Sequence, residues 1–289
     1  MTFLSNLSFM NPNAIRRNMA IVATYADQTR NLTTFEALQS LQHFPDVAFD
    51  THDRHQRVID SQVPALKELL TGIMGGEFPP SFSVVSQATC QSYIHTALAA
   101  EQHWRQQFPI DFDCYMELVR YVVYAYRDTY SGGSVSNAIG WIWLSPQADW
   151  TTEKYSENLI HEYTHNVLFL EEMVNTLFSV SASVMAEPKN CVVSAIRRVP
   201  RYFDQSYHAA AVAIVLAEFA IHEHRLKDAK RLVHGLLASL DAMKDKRTLM
   251  SDHGYTLLQE MISRGLDLYA LVSEASEMRE VALPLESLV

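Results

Sequence analysis

The sequence predicts a mainly α fold, a multi-helix bundle with a small β-sheet beside a helix that carries an H-E-x-x-H motif. Three observations predict it. Apolar residues recur at three- and four-residue intervals over most of the chain. Nine Gly and ten Pro among 289 residues are too few for a loop-rich β architecture. The best strand candidate, Ala138–Ser145, is short, apolar and β-capable, and it lies just ahead of the motif.

The elements follow in order. Residues 13–43 hold one or two helices, marked by Ile15, Met19, Ile21 and Val22 and then by Phe35, Leu38 and Leu41. Val58–Met74, Ser92–Gln107 and Phe112–Arg127 extend this helical layer, with Gly75-Gly76 and Pro79-Pro80 as punctuation. Ser131-Gly132-Gly133-Ser134 marks a turn or small linker. It separates an N-terminal helical region, 1–130, from a motif-bearing region, 131–289, within one compact unit. The strand Ala138–Ser145 ends at Pro146; its two roles are a core strand with buried tryptophans and an edge that holds an extended peptide. Glu153–Leu170 reads as one helix, and Glu171–Met185 continues helical until Glu187-Pro188-Lys189-Asn190 breaks it. Helices are then expected over Ser206 to about His224, Leu226–Met243 and Tyr255–Arg264.

Composition narrows the partners. A formal charge of −10 without a long Lys/Arg run argues against nucleic acid. Cys90, Cys114 and Cys191 are odd in number and widely spaced, as buried free thiols in a reducing compartment would be. The N-terminus lacks a basic segment followed by a long apolar stretch, and no run of about 18 apolar residues occurs. A cytoplasmic protein with no membrane partner is the expectation.

The chemistry concentrates in Leu159-Ile160-His161-Glu162-Tyr163-Thr164-His165. Helical positions i and i+4 share a face, so both imidazoles reach one cation. Glu162 points roughly 100° away, as a base on a metal-bound water or as an outer partner. A third protein ligand is needed. If the helix continues, Glu172 sits about 10 Å along the axis from His165, so Glu171 and Glu172 read as helix-surface or helix-end carboxylates. His208, at the start of the apolar helix Tyr207–Ile221, is the leading candidate, and Glu218 on the same helix is its competitor. His222-Glu223-His224 diverge around a helix and read as surface. His43, His52, His55, His95 and His103 lack ligand spacing and read as structural or solvent-facing. Arg197-Arg198-Val199-Pro200-Arg201 offers three guanidiniums, either a seat for a carboxylate or a solvated turn.

These residues resemble the H-E-x-x-H family of 2-oxoglutarate-dependent peptide β-hydroxylases associated with ribosomal peptide natural-product clusters. The resemblance runs through the motif, Ser194–Arg201, His208 and the stretch Thr248–Leu258, covering roughly residues 131–265. It implies Fe(II) held by His161, His165 and His208. It further implies 2-oxoglutarate paired through its distal carboxylate with Arg201, or with Arg197 as second choice. The implied reaction is hydroxylation of a peptide or carrier-bound amino acid at Cβ, with Glu162 in an outer role. The chain departs from the family at Tyr202, where Pro is usual, and at Ala209, where Gly is usual. Two other readings of the motif stand beside this one. A zinc peptidase would use Glu162 as general base, and a helical binding protein would carry a structural or lost metal site.

Overall fold

A computed structural model describes residues 3–27, 32–42, 55–56, 87–124 and 131–281. It is mainly helical with two small sheets, as the sequence predicts. The chain divides into two compact units: Met1–Phe3 with Pro12–Val174, and Leu4–Asn11 with Asn175–Val289. The division falls at the end of the H-E-x-x-H helix, and Ser131–Ser134 lies inside the first unit.

In the first unit, α1 (Pro12–Ala26) packs on α2 (Thr34–Gln42) and on α4 (Pro109–Leu118), which also meets α3 (Gln87–Gln107). Pro109 opens α4, where its missing N–H costs nothing. The expected helix Phe112–Arg127 ends early. After Leu118 the chain becomes a strand, β2 (Tyr121–Tyr124), paired in parallel with β4 (Trp141–Leu144). The reason is burial on both faces: Tyr121-Val122-Val123-Tyr124 and Trp141-Ile142-Trp143-Leu144 are buried at every position, so neither shows strand alternation. Two short strands, β1 (His55–Gln56) and β3 (Gly132–Gly133), complete a sheet of order β1-β2-β4-β3. The strand ahead of the motif is therefore interior, flanked by β2 and β3, and is no edge for a peptide. Gly133 lies flat on the Trp143 indole, where a Cβ would come within 2.4 Å of the ring nitrogen.

The motif helix α5 spans Thr152–Asn175, with the Thr151 hydroxyl accepting the Lys154 N–H at its start. It does not run on to Met185. Thr176 adopts φ 48°, a costly left-handed turn for a β-branched residue, and only the short α6 (Ala182–Met185) follows. The expected helix Val58–Met74 lies outside the described residues.

In the second unit, α7 (Phe203–His222), α8 (Leu226–Lys244) and α9 (Asp252–Val281) pack on one another. The Ala209–Ala213 run on α7 is buried and brings the helices close. His224, at φ 57°, ends α7; the Arg225 N–H reaches back to the Ala220 carbonyl and closes the last turn. The final helix is far longer than Tyr255–Arg264. A hairpin, β5 (Val192–Val193) with β6 (Pro200–Arg201), precedes α7.

Candidate metal centre

On α5 the motif separates into two faces. His161 and His165 are partly exposed, on a stripe that continues to Phe169, while Glu162, Tyr163 and Thr164 are buried. The two imidazoles are 5.0 Å apart between ring centroids, and Phe169 stacks beside His165 at 6.1 Å. One turn of helix has brought them together, as i and i+4 require.

Glu162 is 4% exposed. Its Oε2 accepts the Ser134 hydroxyl at 2.8 Å, and its Oε1 lies 3.9 Å from His161 Nε2. The adjoining Gly132 supplies the room, since a Cβ there would meet the Trp143 carbonyl at 2.9 Å and Glu162 Oε1 at 3.5 Å. Asn166 fixes the helix to the sheet. Its Oδ1 accepts the Gly140 N–H at 2.7 Å and its amide donates to the Glu162 carbonyl at 2.9 Å. Gly140 has φ 93°, a conformation that favours glycine and lets its N–H point at Asn166. Reading the sequence missed Ser134 and Asn166. Asn166 directly follows the motif and shares a face with Glu162 at i+4, a signal that was there to use.

Glu171 corrects an expectation. It is 2% exposed and accepts the Asn18 amide of α1 at 2.5 Å, so it is a buried carboxylate and no surface group. Tyr163, wholly buried, has its phenol held well above the usual range by burial. Among the described residues, no group of three or more His, Cys, Asp or Glu is positioned to hold a metal ion.

The remaining candidates belong to the second unit. His208 is 5% exposed on α7. Arg201, closing β6, has its guanidinium directed along α7, where Nε donates to Gln205 Oε1 at 3.0 Å. Asp204, alongside, has its carboxyl raised above the ordinary value by burial, against the opposing pull of the Gln205 and Asp204 backbone N–H groups and, more weakly, of Arg201. Arg197 is exposed, and its N–H is held by the Ser194 hydroxyl. Arg198 leaves the expected trio. At φ 60° it turns back onto α8, donating to the Arg231 carbonyl over Gly235, where a Cβ would overlap the guanidinium. Glu218 is engaged elsewhere: Arg264 Nε donates to its Oε1 at 2.5 Å, and Ser5 and Asn6 hydrogen-bond the same carboxylate. It acts as a structural anchor. His224 is exposed, as its divergent position requires.

Neither a family model nor a curated protein matches the chain.

Proposed function

We propose that the chain is an Fe(II)- and 2-oxoglutarate-dependent oxygenase that hydroxylates a peptide or carrier-bound amino-acid side chain at Cβ, in natural-product biosynthesis. The observation that carries the proposal is the division of labour on α5. Two imidazoles stand together on the accessible stripe, while Glu162 is buried and engaged by Ser134. A hydrolytic base must meet water, and a carboxylate fixed in this way suits orientation instead. Imidazole donors fit iron as well as zinc.

In this reading His161 and His165 hold the metal. The third ligand, His208, comes from the sequence resemblance, and the engagement of Glu218 by Arg264 supports that choice over its rival. Arg201 pairs with the distal carboxylate of 2-oxoglutarate, with Arg197 as second choice, and Gln205 steadies its guanidinium. Iron, with the keto acid and dioxygen, supplies the oxidising chemistry; the protein supplies orientation and a dry surround. Ser134 and Asn166 tie the helix to the sheet and the turn before it, which supports a fixed setting for the stripe that carries both imidazoles.

A zinc metallopeptidase is the second reading. Glu162 Oε1 lies 3.9 Å from His161 Nε2, so the carboxylate stands beside an imidazole that would hold the metal, where a general base would be needed. The two readings part on Glu162→Gln: a hydroxylase retains part of its activity, whereas a peptidase loses orders of magnitude. Metal analysis of protein purified without oxygen, followed by 2-oxoglutarate consumption, tests the first reading directly. Zinc with no keto-acid turnover would overturn it.

A further inference from the structure

The motif helix carries more than its histidines. Tyr163 turns a fully buried ring into a cluster with Trp104 of α3 and Tyr115 and Phe112 of α4. Ring centroids lie 5.4 Å apart for Tyr163 and Trp104, 5.8 Å for Tyr163 and Tyr115, and 4.8 Å for Trp104 and Tyr115. Rings this close exchange electrons readily.

Proton chemistry separates this cluster from ordinary packing. A phenol that loses one electron becomes a strong acid, so the loss is easy only where a base waits for the proton. Tyr115 has such a base: its hydroxyl donates to Glu101 Oε1 at 2.6 Å, the length of a charge-assisted bond. Glu101 is itself buried. Among the described residues the Tyr163 hydroxyl and the Trp104 indole N–H have no hydrogen-bond partner, so a hole on either ring meets no local proton acceptor there. Burying a carboxylate is costly, and an apolar pair at 101 and 115 would fill the same space without that cost.

The geometry points to Tyr115 and Glu101 as an internal one-electron donor, draining oxidising equivalents from the H-E-x-x-H helix through Tyr163 and Trp104. A high-potential one-electron oxidant, of the class iron–dioxygen chemistry releases when no substrate is in place, takes one electron from the ring chain and is reduced by one equivalent. The hole settles on Tyr115. Its O–H bond breaks, the proton passes to Glu101 Oε1, and a neutral tyrosyl radical and a protonated carboxyl remain. The protective role rests on the oxygenase reading; the redox capacity does not.

Metal-free protein provides the test. Ultraviolet laser photoionisation ejects electrons from tryptophan inside the fold, and electron paramagnetic resonance with ring-deuterated tyrosine identifies where the radical comes to rest. Wild-type protein gives a neutral tyrosyl signal, and Tyr115→Phe loses it in favour of a tryptophan radical. Glu101→Gln keeps the packing but not the base, and it slows the tryptophan-to-tyrosine step. Tyr121→Phe and Tyr155→Phe, whose rings stand beside Trp141 and Trp150, keep the signal. An undiminished tyrosyl signal in Tyr115→Phe overturns the proposal, as does a wild-type transfer rate in Glu101→Gln. This readout contains no iron, so failed keto-acid turnover would count against the oxygenase reading and not against this chemistry.

Discussion

Glu162 in the first unit and Glu218 in the second are both largely buried carboxylates, yet they are held in different ways. Glu162 meets the hydroxyl of Ser134, whereas Glu218 meets the guanidinium of Arg264. A neutral donor orients a carboxylate without neutralising it; a cation does both. Elsewhere in the first unit the Tyr115 hydroxyl donates to Glu101 and the Asn18 amide to Glu171. The lesson is that equal burial does not mean equal anchoring: the groups that meet a carboxylate decide how it is held.

Four measurements press on that contrast. The largest effect belongs to Arg264→Ala, which strands Glu218 beside Ser5 and Asn6. Urea unfolding should show a loss of about 2–3 kcal/mol, less than a fully buried pair because the Arg264 side chain is 23% exposed, and metal affinity should stay unchanged. Ser134→Ala should behave in the opposite sense. In the proposed metal-binding reading, calorimetric titration with metal should show about a tenfold loss of affinity, against a stability cost of only about 1 kcal/mol. Equal stability losses in the two variants, with metal binding untouched in both, would erase the distinction.

Smaller effects appear with pH. Burial pushes the Cys114 thiol from 9.0 up to about 12. The folded state therefore keeps a proton that the unfolded chain releases above pH 9.0, so this contribution to stability is whole below that value and declines as pH rises towards 12. Denaturation midpoints followed from neutral to alkaline pH should fall less steeply in Cys114→Ala than in wild type. Asp204 should give the slightest change. Its carboxyl is raised by burial, so folding favours the protonated form and ionisation at neutral pH opposes it. Asp204→Asn should raise the midpoint slightly at pH 7 and leave it unmoved in acid; a lower midpoint at pH 7 would contradict this.

Much of the fold was legible because helical periodicity survives wherever one face is solvated. α1, α2, α8 and the motif helix all show it. The reading failed where both faces are covered. Tyr121–Tyr124 resembled the end of a helix because a strand buried on two sides has no alternation to display. Glu171 looked like a surface residue because nothing in its local sequence announces Asn18, 153 positions earlier. The motif pair needed only the helical repeat and was found. Ser134 was passed over because one hydroxyl after two glycines carries no signal until the fold sets it against Glu162. The trio of arginines was reduced to two by a backbone conformation, φ 60° at Arg198, that composition cannot reveal.

Leu4–Asn11 is counted with the second unit, so the first unit is, by connectivity, largely an insertion between two pieces of the second. Ser5 meets Glu218 across 213 positions, and Ser8 meets Glu260 across 252. On the ribosome the opening octet must therefore idle while everything between is made. Once the insert has collapsed it shortens the tether, raising the local concentration at which that octet finds α7 and α9. Slackening the insert should thus delay the docking of a segment it does not contain.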